Sequence, residues 1–192
     1  MTVKTKSGAT YDDLVKVPDT FVAEIVEGDL FASPRPAGRH SLAATVLAGE
    51  LLPPFHHGRD PGPGGWWIIL EPELHLGDDV LVPDLAGWRR ERMPRYPVAA
   101  AAVELAPDWL CEVVSPGTEA LDRRRKLPVY AREGVDHVWL VNPASRTLEI
   151  FRRAGAGWVL ATTYAEDEVV RAEPFEAIEL DLLLLWGEQR AR

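Results

Sequence analysis

Cysteine is almost absent. The 192-residue chain has one, Cys111. That excludes an internal disulfide framework and a cysteine-rich zinc site. Cys111 lies inside an apolar run, where it reads as a small buried hydrophobe. Long apolar runs are missing too. The longest, Leu182-Leu183-Leu184-Leu185-Trp186, is too short to cross a bilayer. Met1 to Ser7 carries lysines with no apolar core behind them, so no signal peptide is expected. Positive charge is also scarce: 21 Lys and Arg stand against 30 Asp and Glu, a formal net charge of -9. Sequence-independent nucleic-acid binding is driven by phosphate neutralisation, and this balance argues against it. A local basic surface stays open. Arginines cluster at Arg89, Arg90, Arg92 and Arg95, and again at Arg123, Arg124 and Arg125, although a solvated surface is the plainer reading of each. These absences lead us to expect a soluble, cytoplasmic protein without membrane contact.

What is present fits one domain over residues 1–192. Hydrophobic residues make up 46% and charged residues 27%, enough for a real core. Tyr11 to Val17 reads as a short helix. Phe21 to Val26 reads as a strand that turns at Glu27-Gly28-Asp29 and returns over Leu30 to Ala32, an N-terminal hairpin. Arg35 to Arg39 is Pro/Gly-rich and predicts a loop. A helix follows over Leu42 to Leu52, with Ser41 as N-cap, an apolar stripe of Leu42, Val46, Leu47 and Leu51, and Pro53-Pro54 as its stop. His56 to Gly65 reads as a surface loop. Trp66 to Leu70, Leu74 to Leu76 and Val80 to Leu85 read as strands. Arg89 to Leu105 is a loop or a short helix. Trp109 to Val114 is a central strand. Glu119 to Glu133 is a helix closed by Gly134 and kinked at Pro128. Val138 to Val141, Thr147 to Arg152 and Trp158 to Thr163 form an antiparallel meander. Gln189 to Arg192 reads as a frayed tail. The sum is a mixed central sheet flanked by helices, of the α/β or α+β kind.

Two strand-like runs each carry one carboxylate among residues that want burial: Val80-Leu81-Val82-Pro83-Asp84 and Trp109-Leu110-Cys111-Glu112-Val113-Val114. Alternate residues of a strand share a face, so Asp84 joins Val80 and Val82, and Glu112 joins Leu110 and Val114. Neighbouring strands lie about 5 Å apart, so the two carboxylates could hold one ion between them. Like charges that close do not both ionise cheaply without a cation. All-oxygen ligation suits Mg²⁺ or Mn²⁺, which can activate a water and polarise a phosphoryl oxygen. A lysine beside it, Lys126, would stabilise a phosphoryl-transfer transition state. Two plainer readings stay open: Asp84 caps the backbone amides of a turn, and Glu112 pairs with an arginine.

The ordered set of motifs resembles the Uma-two (Uma2) family, described as putative restriction endonucleases, within the PD-(D/E)XK nuclease superfamily. The set runs through Glu24-Ile25-Val26-Glu27-Gly28-Asp29-Leu30, Ser33-Pro34, Arg39-His40, Val82-Pro83-Asp84 and Glu112-Val113-Val114-Ser115-Pro116. It continues with Asp122, Lys126, Tyr130, Gly134-Val135, Val138 to Val141 and Pro143. The resemblance implies a restriction-endonuclease-like fold and metal ligands Asp84, Glu112 and the Val113 carbonyl. Val114 stands where the superfamily has its lysine, and Lys126 resembles a relocated catalytic lysine, with Pro128 close enough to bear on its reach. Glu24 resembles the superfamily's extra acidic residue; its other reading is an exposed strand residue. His40 reads either as a phosphate contact or base in a pocket with Glu24, or as a capping or surface residue. Tyr130 shares a helical face with Lys126 and reads as packing or as a positioner of the lysine.

The implied function is a Mg²⁺- or Mn²⁺-dependent endonuclease acting on DNA, with Glu24, Asp84, Glu112 and Lys126 catalytic. The competing reading is a non-catalytic interaction or regulatory module on the same fold. A hydrolase for another phosphoester is a third. Nucleases that cut both strands often pair, and an exposed edge of the meander could serve a homodimer.

Overall fold

The computed structural model describes residues 2–35, 38–60 and 62–190. In chain order the elements are β1 (Val3–Ser7), α1 (Tyr11–Leu14), β2 (Phe21–Val26), β3 (Asp29–Pro34), α2 (Arg39–Leu51), β4 (Trp66–Leu70), β5 (Leu74–Leu76), β6 (Asp79–Leu81) and β7 (Leu85–Arg89). Then follow β8 (Trp109–Val113), α3 (Glu119–Leu121), α4 (Leu127–Arg132), β9 (His137–Asn142), β10 (Thr147–Ala154), β11 (Gly157–Ala165), β12 (Val169–Val170), β13 (Leu180–Asp181) and α5 (Leu182–Leu185). Two π-helical turns, Leu52–His56 and Asp122–Lys126, continue α2 and join α3 to α4.

The strands form a five-stranded sheet in the order β1-β3-β2-β6-β5 and a six-stranded sheet in the order β11-β10-β9-β8-β7-β4. Every pairing is antiparallel except β8 with β9. A parallel pair needs a crossover, and the α3–α4 segment supplies it. The fold is therefore mixed α+β. The β2–β3 hairpin is held by a tight turn whose two central residues, Glu27 and Gly28, both take positive φ (51° and 77°), as a two-residue hairpin requires. The meander β9-β10-β11 forms as the sequence predicts.

Strand β8 shows why an unbroken apolar run marks a central strand. All five residues are buried, so both faces are covered. Trp109, Cys111 and Val113 face a core completed by Leu47, Leu51, Phe55, Trp139 and Phe175. Leu110 faces the second core, with Leu81, Trp88, Tyr130 and Leu140. Glu112 shares the face of Leu110 and so points toward the crossover helix. Gly87, opposite Trp109, has no room for a side chain: a Cβ there would meet the Trp109 ring at 3.1 Å and the Trp66 ring at 3.3 Å.

The structure corrects several expectations. Val80 to Leu85 is not one strand. It splits into β6 in the first sheet and β7 in the second, with Val82-Pro83-Asp84 bridging the gap. Pro83 has no N–H to give a ladder, which breaks the strand there. Helix α2 begins at Arg39 with Gly38 as N-cap, not at Ser41. Its buried stripe is Ala43, Leu47, Ala48 and Leu51, and Leu42 is exposed. Pro53 and Pro54 enter the first positions of the π turn rather than stopping the helix, since the first turn requires no N–H from them. His56 belongs to that turn and its Nδ1 lies 3.1 Å from the backbone nitrogen of Ile68, so it is a packing residue of β4, not loop surface. Arg89 closes β7. Arg90 to Leu105 forms turns without a helix, and Val103 bridges to Leu74. Within the expected loop at Arg35 to Arg39, Pro36 and Ala37 lie outside the described residues. So do Pro61 in the His56 to Gly65 loop and Ala191 and Arg192 in the expected tail.

Candidate active site

The gap between β6 and β7 leaves backbone donors without ladder partners, and carboxylates fill in. Glu24, central in β2, accepts the Val82 N–H through Oε1 at 2.9 Å. Asp84 accepts the Val113 N–H through Oδ2 at 2.7 Å. The β7–β8 ladder ends at Leu85 opposite Cys111. One step further, Asp84 stands opposite Glu112. Two steps on, Pro83 would stand opposite Val113, and the Asp84 side chain takes over as that N–H's partner. Asp84 thus caps an amide on the neighbouring strand, not one of its own turn.

Glu112 reaches the helical crossover. Its Oε1 accepts the Tyr130 hydroxyl at 2.6 Å and lies 2.8 Å from Lys126 Nζ. Lys126 Nζ also lies 2.7 Å from Glu24 Oε1 and 3.6 Å from Asp122 Oδ1. The π turn explains how the lysine gets there beside Pro128. It bonds Leu127 N–H back to the Asp122 carbonyl, and Pro128 then enters the first turn of α4, where it fits. Lys126 is 2% exposed, so it points inward and not to solvent. Glu24, at 5%, is not an exposed strand residue. His40, in the first turn of α2, places Nε2 3.3 Å from Asp84 Oδ2, so it meets Asp84 and neither caps its helix nor faces solvent. Its Nδ1 is buried without a partner.

These groups line one cavity of about 50 Å³, with Glu24, His40, Asp84, Glu112, Val113, Asp122 and Lys126 on its wall. A water needs roughly 10–15 Å³ of such volume, so the cavity has room for a few waters, or for a cation with part of its water shell. Its charge is out of balance. Four carboxylates (Glu24, Asp84, Glu112, Asp122) face one ammonium. Burial pushes the Glu112 carboxyl well above the ordinary range; Lys126 opposes this, while Asp122, Asp84 and Glu24 add to it. Burial likewise raises Asp122 to about 6, against the pull of Lys126. For Lys126 burial works downward, but Glu112, Glu24, Tyr130 and Asp122 outweigh it and hold the ammonium charged. His40 is raised, because Asp84, Asp122 and Glu71 outweigh its burial.

Among the described residues, no three His, Cys, Asp or Glu side chains come together as a metal-holding group. The donor set still fits a hard divalent ion of the kind held by one or two carboxylates plus waters. Among the described residues, Oδ1 of Asp84 and Oε2 of Glu112 have no hydrogen-bond partner, and both residues line the cavity. A dication would also offset the surplus of negative charge.

Asp122 was visible in the sequence only as part of a motif. Its position four residues before Lys126 was the signal that it shares the lysine's face. The arginine clusters are mostly engaged. Arg123 pairs with Glu119 and Glu149, Arg125 with Glu27 and Asp29, and Arg92 with Asp108. Arg89 and Arg90 lie over the rings of Trp66 and Trp67.

The family model described as "Uma2: Putative restriction endonuclease" matches residues 9–183. Among solved structures, a putative nuclease of DUF820 from Anabaena variabilis matches with a TM-score of 0.73 and 24% identity, over 93% of this chain and 98% of that one. At that identity the likeness speaks for the fold. No curated protein matches the chain.

Proposed function

Because this chain belongs to the Uma2 family of putative restriction endonucleases, we propose that it is a divalent-metal-dependent endonuclease of the PD-(D/E)XK kind that hydrolyses DNA phosphodiester bonds. The observation that carries this reading is the single cavity shared by Asp84, Glu112 and Lys126. Asp84 and Glu112, with the Val113 carbonyl, would hold Mg²⁺ or Mn²⁺. When bound, that ion supplies an activated water and polarises a phosphoryl oxygen. The chain's own groups do the rest. Val113 N–H fixes one oxygen of Asp84 and Tyr130 fixes one oxygen of Glu112, so the second oxygen of each stays free for the ion. Lys126 holds a positive charge beside the reacting phosphate, where negative charge develops. Glu24 keeps Lys126 in place and ties the two sheets together through Val82.

Supercoiled plasmid incubated with the purified chain and Mg²⁺ or Mn²⁺ is expected to be nicked and linearised. Asp84→Ala and Glu112→Ala are each expected to lose at least about a hundredfold of that rate, the scale of removing a group that stabilises the transition state. Cleavage that survives both changes sinks the assignment of these two acids.

A non-catalytic module on the same fold is favoured by one observation: Lys126 is already spent on Glu24 and Glu112 inside the protein. Calorimetric titration with Mn²⁺ separates the two. One stoichiometric site weakened by Asp84→Asn supports the enzyme; no heat of binding supports the module.

A further inference from the structure

Two segments meet where the wall of the cavity reaches solvent. Ser33 and Pro34, at the end of β3, line it on one side, and Arg35 follows directly. Glu71, in the turn from β4 to β5, lines it on the other. Arg35 Nη1 lies 3.5 Å from Glu71 Oε2, and the two side chains are 53% and 48% exposed. This ion pair therefore stands at the rim, unlike Lys126, which is buried behind it.

The backbone sets Glu71 there. Its N–H donates to the Asp84 carbonyl at 3.0 Å. Its φ is 44°, although it precedes Pro72, where an L-residue is ordinarily extended. Glycine takes positive φ without steric cost, and glycine would make the same backbone bond. The fold thus has no use for the carboxylate itself. Among the described residues, that carboxylate forms an ion pair only with Arg35. Non-glycine residues in such conformations cluster at functional sites. Arg35 is fixed along one edge, since its Nε donates to the Asp19 carbonyl at 2.8 Å. Among the described residues it donates no other hydrogen bond, so its contact with Glu71 is an ion pair alone. A guanidinium has five N–H donors in a planar fork that matches phosphate oxygens. Most of the donors of Arg35 are unspent.

We propose that Arg35 binds a backbone phosphate beside the scissile one, and that Glu71 is the partner this phosphate displaces. The proposal rests on the endonuclease reading for its substrate, and it concerns two residues which that reading does not use. An exposed ion pair is weak, so it opens at little cost. A phosphate repays the opening with charge-assisted, bidentate hydrogen bonds, which Glu71 does not accept from Arg35. A small phosphoester without a neighbouring phosphate gains nothing from the exchange and meets the Glu71 charge. A polynucleotide gains. The pair therefore favours a strand over a small phosphoester.

Fluorescence anisotropy of a short labelled DNA duplex at low salt reads the binding. Ca²⁺ is present to fill the oxygen site, and a gel confirms that the duplex stays intact. Arg35→Gln is expected to raise the dissociation constant about tenfold and to lower the slope of its logarithm against that of salt concentration by about 0.9, the loss of one phosphate contact. Glu71→Gln should tighten binding about threefold, but by less than about twofold once Arg35→Gln is present, because the two residues act through one contact. Arg171→Gln removes the same charge beside Glu50 and Pro53, at the far end of α2 from His40. It should change the dissociation constant by less than about twofold and leave the salt slope alone. A wild-type chain that does not bind the duplex overturns the proposal. So does an Arg35→Gln variant with an unchanged slope or a loss no larger than that of Arg171→Gln. A Glu71→Gln gain of equal size with and without Arg35 also overturns it, since that is repulsion at a distance and not displacement. Plasmid cleavage is scored separately. A chain that shows these shifts and cuts nothing loses the endonuclease reading and keeps the phosphate contact; one that cuts without them does the reverse.

Discussion

Removing the Lys126 ammonium would leave Glu24 and Glu112 without the cation that lies 2.7 and 2.8 Å from them. Breaking a buried ion pair from one side costs about 3–5 kcal/mol. Lys126→Met is therefore expected to lower the metal-free protein's unfolding free energy by about that amount, with Mn²⁺ restoring part of it by neutralising Glu112. Urea unfolding with and without Mn²⁺ checks this; a variant as stable as wild type without metal would contradict it. Asp122 acts in the opposite sense. Its folded pKa, about 6, lies above its ordinary 3.8, so the folded state binds the proton more tightly than the unfolded state. The stability this gives is complete below pH 3.8 and is lost as pH rises through 6. The full loss is about 3 kcal/mol at 1.4 kcal/mol per unit. Asp122→Asn should remove that slope and leave the metal-free protein more stable than wild type at pH 7.5, with the advantage shrinking toward pH 4. An advantage that does not change with pH would rule this account out. Single residues were legible where local spacing carried them. Glu112 follows from strand alternation, and Tyr130 from helical spacing with Lys126, whereas Asp122 entered only as a motif residue. The arginines were not legible, because Arg125 meets Glu27 and Asp29 from nearly a hundred positions away.

The break between β6 and β7 sets the positions of Asp84 and Glu24. Proline in a strand-like run signals such a break, yet nothing local says that the two halves enter different sheets. That depends on Ile25 pairing with Val80 and Leu85 with Cys111, both contacts distant in sequence. The π turn was also hidden. Pro128 signals a disturbance in the helix, and the structure resolves it as a widened turn that brings Lys126 inward. Asp84 consequently has two roles that can be separated. Asp84→Ala leaves the buried Val113 N–H unpaired, which costs about 1–3 kcal/mol. Asp84→Asn keeps an acceptor and should cost less than about 1 kcal/mol, since only the charge is lost. Both should lose cleavage. Equal destabilisation by the two would show that the amide bond to Val113 does not matter to the fold.

At the scale of the molecule, we propose that residues 1–192 act as one restriction-endonuclease-like domain. Glu24 in one sheet, Asp84 and Glu112 in or beside the other, and Lys126 on the crossover converge on one cavity, which couples the two sheets. Circular dichroism and tryptophan fluorescence should then report the same urea midpoint, because Trp66, Trp88, Trp109 and Trp139 are buried in the cores that hold the strands. Two separate midpoints would divide the chain. Net charge bears on the substrate. With most arginines of the two clusters paired or stacked, little free positive charge in them is left for a polyanion, and in the proposed reading a dication would be the main local attraction. The central claim is that this dication sits between Asp84 and Glu112. Crystals grown with Mn²⁺ and measured near its absorption edge test it most directly. The account predicts an anomalous peak within about 2.0–2.3 Å of one oxygen of each carboxylate, the range of hard-cation ligation. A map with no peak there, or with Mn²⁺ bound elsewhere, would contradict it.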